Sequence, residues 1–114
     1  MRSFTFFIFW LIAGHVLAQD YYDRARKYYN ENNLDSARFY INLNLSKKPT
    51  TEDYFLSGMI HESENKDIRA LADYEAVIQK DSYNLEAYFQ KGLIYYNSAG
   101  TEQAQSRQSK ILPM

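Results

Sequence analysis

Tyr54-Phe55-Leu56-Ser57-Gly58-Met59-Ile60-His61 and, after eight intervening residues, Ala70-Leu71-Ala72-Asp73-Tyr74-Glu75-Ala76-Val77-Ile78-Gln79-Lys80-Asp81 carry the reading on which the fold turns. Each is a helix-like run, and residues 63–67 (SENKD) between them are turn and capping chemistry. Gly58 lies inside the first run, where glycine costs about 1 kcal/mol relative to alanine, so a close helix contact must compensate. Two antiparallel helices joined by a tight turn approach closely only where neither carries a bulky side chain, and Ala70 on the second run is the natural counterpart. The stretch reads as one helical hairpin.

Working outward, the same signature recurs on both sides. Ala25, Gly58 and Gly92 are spaced 33 and 34 residues apart, and each is followed twelve residues later by an alanine: Ala37, Ala70 and Ala104. An aromatic stands four residues before each small residue (Tyr21, Tyr54, Tyr88), and Tyr28, His61 and Tyr95 stand three after it. Gly92, like Gly58, implies a close helix contact. Polar breaks at residues 30–33 (NENN), 63–67 and 98–101 (SAGT) divide hairpin halves. Between hairpins, Pro49 ends a helix, and Thr50 and Asn84 are placed to cap the next.

A period near 34 with these residues resembles the tetratricopeptide-repeat family, whose pattern is W-x2-L-G-x2-Y, then A-x3-F, then P. The middle copy is nearest, with Tyr74 in place of Phe; the first offers Tyr21, Ala25, Tyr28, Ala37, Ile41 and Pro49, and the third Tyr88, Gly92, Tyr95 and Ala104. Ser82 replaces the closing Pro of the middle copy, His61 replaces a Tyr, and Gln108 falls where the last helix should bury an aromatic. The resemblance implies an all-α, right-handed solenoid of antiparallel helical hairpins. Its expected hairpins lie at about 19–49, 51–82 and 85–112.

The N-terminus reads differently. Arg2 supplies a positive start, residues 4–14 (FTFFIFWLIAG) are almost uninterruptedly apolar, and Val16-Leu17-Ala18 offers small residues for a signal peptidase. The expectation is a signal peptide over 1–18, a mature chain from Gln19, and an exported protein, periplasmic or secreted. The alternative is a membrane anchor left uncleaved, although the run falls short of the roughly 20 apolar residues of a spanning helix. No membrane insertion is expected after cleavage. The chain has no Cys, so its stability rests on packing.

Composition narrows the function. Thirteen Lys and Arg against fourteen Asp and Glu give a formal charge of −1, which offers no basic excess to attract nucleic acid. No nucleophile, tuned acid–base pair or phosphate loop is evident, and no cofactor or metal is expected. His61 reads as a packed histidine, and Glu62, Glu64 and Asp67 as a solvated turn. Asn44-Leu45-Ser46 matches a short glycosylation pattern that chance often produces. The chain is expected to be a non-enzymatic scaffold for a protein or peptide ligand.

In the family, the first helix of each hairpin lines a concave groove. Stepping one residue past each recurring aromatic, then on by four and three, the resemblance implies Tyr22, Arg26 and Tyr29 in the first copy. It implies Phe55, Met59 and Glu62 in the second, and Phe89, Leu93 and Tyr96 in the third. Familiar chaperone-binding members clamp a C-terminal carboxylate with Lys, Asn and Arg. Tyr22, Arg26, Leu56 and Gln90 stand at those places here, so recognition of an acidic terminus is not implied. The rival expectation is a structural module that self-associates through its last hairpin, or part of a longer repeat protein.

Overall fold

The computed structural model describes residues 2–111, without the side chains of residues 2–7, 9, 11, 13, 104 and 108–111. The described residues form five helices and no strand: α1 (Arg2–Asn30), α2 (Leu34–Leu45), α3 (Thr51–Ser63), α4 (Asp67–Lys80) and α5 (Leu85–Ile111). Consecutive helices pack in adjacent pairs, and α1 also touches α3.

Two turns share one construction. Asn32 and Asn65 adopt φ of 59° and 60°, the left-handed region that asparagine tolerates better than most residues. After α1, the Asn33 amide donates to the Tyr28 carbonyl and Asn32 to Tyr29; after α3, Lys66 donates to His61 and Asn65 to Glu62. This is the paired hydrogen-bond pattern of a Schellman cap. The chain then reverses: Tyr28 stacks on Tyr40 at 5.6 Å while Ala18, nearer the start of α1, meets Asn44, nearer the end of α2. The two helices therefore run antiparallel.

Helix starts follow their capping residues. Thr50 and Asp53 form a reciprocal capping box at α3, and Asn84 accepts from the Ala87 amide at 2.9 Å to start α5. Ala25, Ala37, Ile41, Leu56 and Ile60 bury one cluster where α1, α2 and α3 meet. Ala70, Tyr74, Val77, Ile78, Ala87 and Ile94 bury a second along α4 and the first half of α5. Ala25, Ala37, Gly58 and Ala70 thus sit where helices approach, although the side chain that faces Gly58 most closely is Tyr74 and not the expected Ala70. A Cβ added to Gly58 would lie 2.7 Å from Cε1 of Tyr74.

The expected third hairpin does not form. Residues 98–101 stay helical, and α5 continues as one helix of 27 residues. Ala99 occupies the step that Asn32 and Asn65 hold in the earlier copies, 34 residues beyond Asn65. A left-handed conformation costs alanine about 1–2 kcal/mol, and helix propensity favours it in place. Thr101 Oγ1 donates back to the Asn97 carbonyl at 2.9 Å, a bond internal to the helix. Gly92 consequently has nothing within 4 Å of a Cβ built on it, which corrects the expected close contact there. The side chains of Ala104 and Gln108 lie outside the described residues, as does Leu112.

Helix α1 runs without a break through Ala18 and Gln19, joining the apolar segment to the first repeat. Among the described residues, no helix is long and apolar enough to cross a membrane.

Candidate partner-binding groove

Helix α1 presents Tyr22, Arg26 and Tyr29 at spacings of four and three, which place them on one face. Helix α3 presents Thr51, Glu52, Phe55 and Met59 at a matching phase. These residues, with Asn30, Leu56, Asn84 and Glu86, surround a cavity of about 420 Å³ between α1, α3 and the start of α5. Five of the residues expected on the groove therefore come together: Tyr22, Arg26, Tyr29, Phe55 and Met59.

Phe55 is half-buried and tilts against Tyr74 with ring centroids 5.3 Å apart, so the second core cluster holds its ring in place. Tyr22 and Tyr29 pack on the first cluster while keeping an open edge. Arg26 is exposed and takes part in none of the ion pairs formed among the described residues. Across the cavity stand two carboxylates, Glu52 and Glu86, beside the α5 N-terminus. The lining thus joins an aromatic and thioether floor to one cation on the α1 wall and anions on the α3 and α5 walls.

The other expected residues go elsewhere. Glu62 accepts a hydrogen bond from the Tyr74 hydroxyl and does not line the cavity. Phe89, Leu93 and Tyr96 are exposed on α5, with Phe89 at 63% and Tyr96 at 77%. Thr51, Glu52 and Glu86 were not expected. Their signal was available: Thr51 and Glu52 lie four and three residues before Phe55, and Glu86 three before Phe89, so the same helical phase extended one turn back finds them.

A polar network joins α3 to α4. Ser57 Oγ donates to Asp73 Oδ2 at 2.8 Å, and His61 Nδ1 lies 2.6 Å from the same oxygen. The serine and imidazole converge on one carboxylate oxygen instead of relaying through each other, and Ser57 is 2% exposed. The arrangement is a brace between helices. Glu64, expected as a solvated turn residue, is instead largely buried and pairs with Arg38 of α2, tying two hairpins together. Asn44 of the glycosylation pattern is buried and hydrogen-bonded, so its amide is not open to a sugar-transferring enzyme in the folded chain. Among the described residues, no three His, Asp or Glu side chains are grouped as metal ligands.

No family model, curated protein or solved structure matches this chain.

Proposed function

We propose that the protein is an exported, non-enzymatic scaffold of tetratricopeptide type that holds a peptide segment of a partner protein in the cavity between α1, α3 and α5. One observation carries the reading: five of the nine residues that the resemblance implies for a groove, Tyr22, Arg26, Tyr29, Phe55 and Met59, line a single concavity. Its volume of about 420 Å³ suits a few side chains rather than a folded domain. The apolar floor with charges of both signs on its walls favours an extended or amphipathic segment fixed by a few polar contacts. The apolar segment ahead of Gln19 supports export, and the tetratricopeptide reading rests on the period and on the matching turns at Asn32 and Asn65.

The test starts from a partner captured by the mature protein in the exported fraction. Met59→Ala and Arg26→Glu are expected to weaken its binding more than tenfold in calorimetric titration, with unchanged circular-dichroism melts. Phe89→Ala, outside the cavity, is the control and leaves affinity unchanged. Binding lost in Phe89→Ala and kept in Met59→Ala would move the contact to α5.

A second reading, self-association, is favoured by the open face of α5. Tyr88, Phe89, Tyr95 and Tyr96 are exposed there around Gly92, and nothing among the described residues lies within 4 Å of a Cβ built on that glycine.

A further inference from the structure

Asn44 on α2 is 4% exposed and sends its Nδ2 to two acceptors, the carbonyl of Ala18 at 2.7 Å and Asp53 Oδ1 at 3.0 Å. Its own Oδ1 is buried without a donor. Asp53 is 3% exposed; its Oδ2 takes the Thr50 amide at 2.9 Å and hydroxyl at 3.1 Å, whereas its Oδ1 takes only Asn44. None of the ion pairs among the described residues involves this carboxylate. A buried anion without a cation beside a buried amide oxygen without a donor is an expensive arrangement, and Asn44, which joins the two, also holds the Ala18 carbonyl.

The residues around that point are those of a helix start. Helix α1 carries no acidic residue in its first turn at Arg2. Asp20 and Asp23 lie one and four residues after Gln19, Asp20 pairing with Arg24 at 3.0 Å and Asp23 accepting from Gln19 Nε2 at 3.0 Å. Carboxylates belong in the first turn, against the positive end of the helix dipole.

We propose that Asn44 and Asp53 form the receptor for the α-ammonium of Gln19, created when the Ala18–Gln19 bond is hydrolysed. This rests on the export reading above. In the hydrolysis, the oxygen of water joins the Ala18 carbonyl carbon, the C–N bond breaks, and the Gln19 nitrogen takes up protons to become an ammonium. That nitrogen starts about 2.3 Å from the carbonyl oxygen that Asn44 already holds, as peptide geometry requires. Its three N–H groups then supply what the site lacks, a donor for Asn44 Oδ1 and a cation for Asp53 Oδ1, while Asn44 Nδ2 keeps its bond to Asp53. Of the charged groups on the adjoining segments, Asp20 pairs with Arg24, Asp23 accepts from Gln19 Nε2, and Lys47 lies over the ring of Tyr21.

The experiment is an NMR pH titration of the α-amine of the mature, exported protein, after N-terminal sequencing. The expected first residue is Gln19, with an amine pKa at least one unit above the ordinary value of about 7.7–8.0. Asn44→Ala and Asp53→Asn should each bring it back toward that value. Asn44→Ala leaves the Thr50–Asp53 capping box intact and so reports on the site even if Asp53→Asn fails to fold. Held by the receptor, the amine should also resist cyclising onto its own side chain with loss of ammonia. A chain beginning at Gln19 with an ordinary amine pKa, or one fully cyclised, overturns the receptor and leaves export standing. A chain that retains Met1 removes the export reading and the receptor together.

Discussion

Gly58 and Gly92 stand one repeat apart and meet opposite surroundings. A Cβ on Gly58 would lie 2.7 and 2.8 Å from Cε1 and Cζ of Tyr74, whose ring is fully buried. Phe55 on one side and the hydroxyl bond to Glu62 on the other keep that ring from swinging away. Gly58→Ala is therefore expected to lower stability by about 1–3 kcal/mol although alanine is the better helix former. Gly92→Ala meets open space and is expected to raise stability by up to about 1 kcal/mol. Urea melts of the two variants check the contrast, and a destabilised Gly92→Ala would mean that another helix covers that face in solution. Tyr74 carries a second expectation. Burial, followed by the hydrogen bond and charge of Glu62, pushes its phenol far above the ordinary value near 10. The folded state thus favours the neutral phenol. The stability it contributes is complete below about pH 10 and is lost as pH rises from there toward the folded value. Phenolate absorbance followed beside circular dichroism should show the last phenol ionising together with loss of helix. That joint phase should be absent in Tyr74→Phe.

Among the elements, α5 shows how one residue redirects a repeat. The turns after α1 and α3 were legible as polar breaks of turn chemistry, and in each an asparagine, Asn32 or Asn65, takes the left-handed step. Residues 98–101 are just as turn-like in composition, but Ala99 sits in the left-handed slot and the helix runs on. The mismatch is visible in the register, since Ala99 lies seven residues after Gly92 as Asn65 does after Gly58, but Ser98, Gly100 and Thr101 around it have turn composition. Ala99→Asn is expected to restore the turn. The check uses Tyr95→Cys with Arg107→Cys, at the steps where His61 and Asp73 touch in the second hairpin. Along a straight helix these positions are about 18 Å apart, and a disulfide needs Cα atoms within about 7 Å. With no native cysteine to compete, the pair should stay reduced within one chain and close only when Ala99→Asn is added. An intrachain bridge without that change would show that α5 folds back on itself, and an interchain bridge would favour self-association.

For the molecule as a whole, the half of the candidate groove built on two first helices was readable in advance, because Tyr22, Arg26, Tyr29, Phe55 and Met59 inherit their direction from helical phase. Phe89, Leu93 and Tyr96 were not, since their surroundings depend on whether a further helix closes over α5. Glu62 shares the helical phase, but its carboxylate accepts from the buried Tyr74 hydroxyl and lies outside the cavity lining. The end helices also set the outline. The described residues span 81 × 30 × 19 Å with a radius of gyration of 19.3 Å, where a compact chain of this length would have about 13 Å. A rod drags more solvent than a sphere of equal mass. The full 13.5 kDa chain should therefore leave a sizing column early, as a heavier particle would, yet sediment slowly, as a lighter one would, while still a single copy. Light scattering, which weighs the particle instead of timing its friction, separates that mimicry from a true pair, and losing residues 1–18 should lower the friction more than an equal loss of mass from a compact particle would.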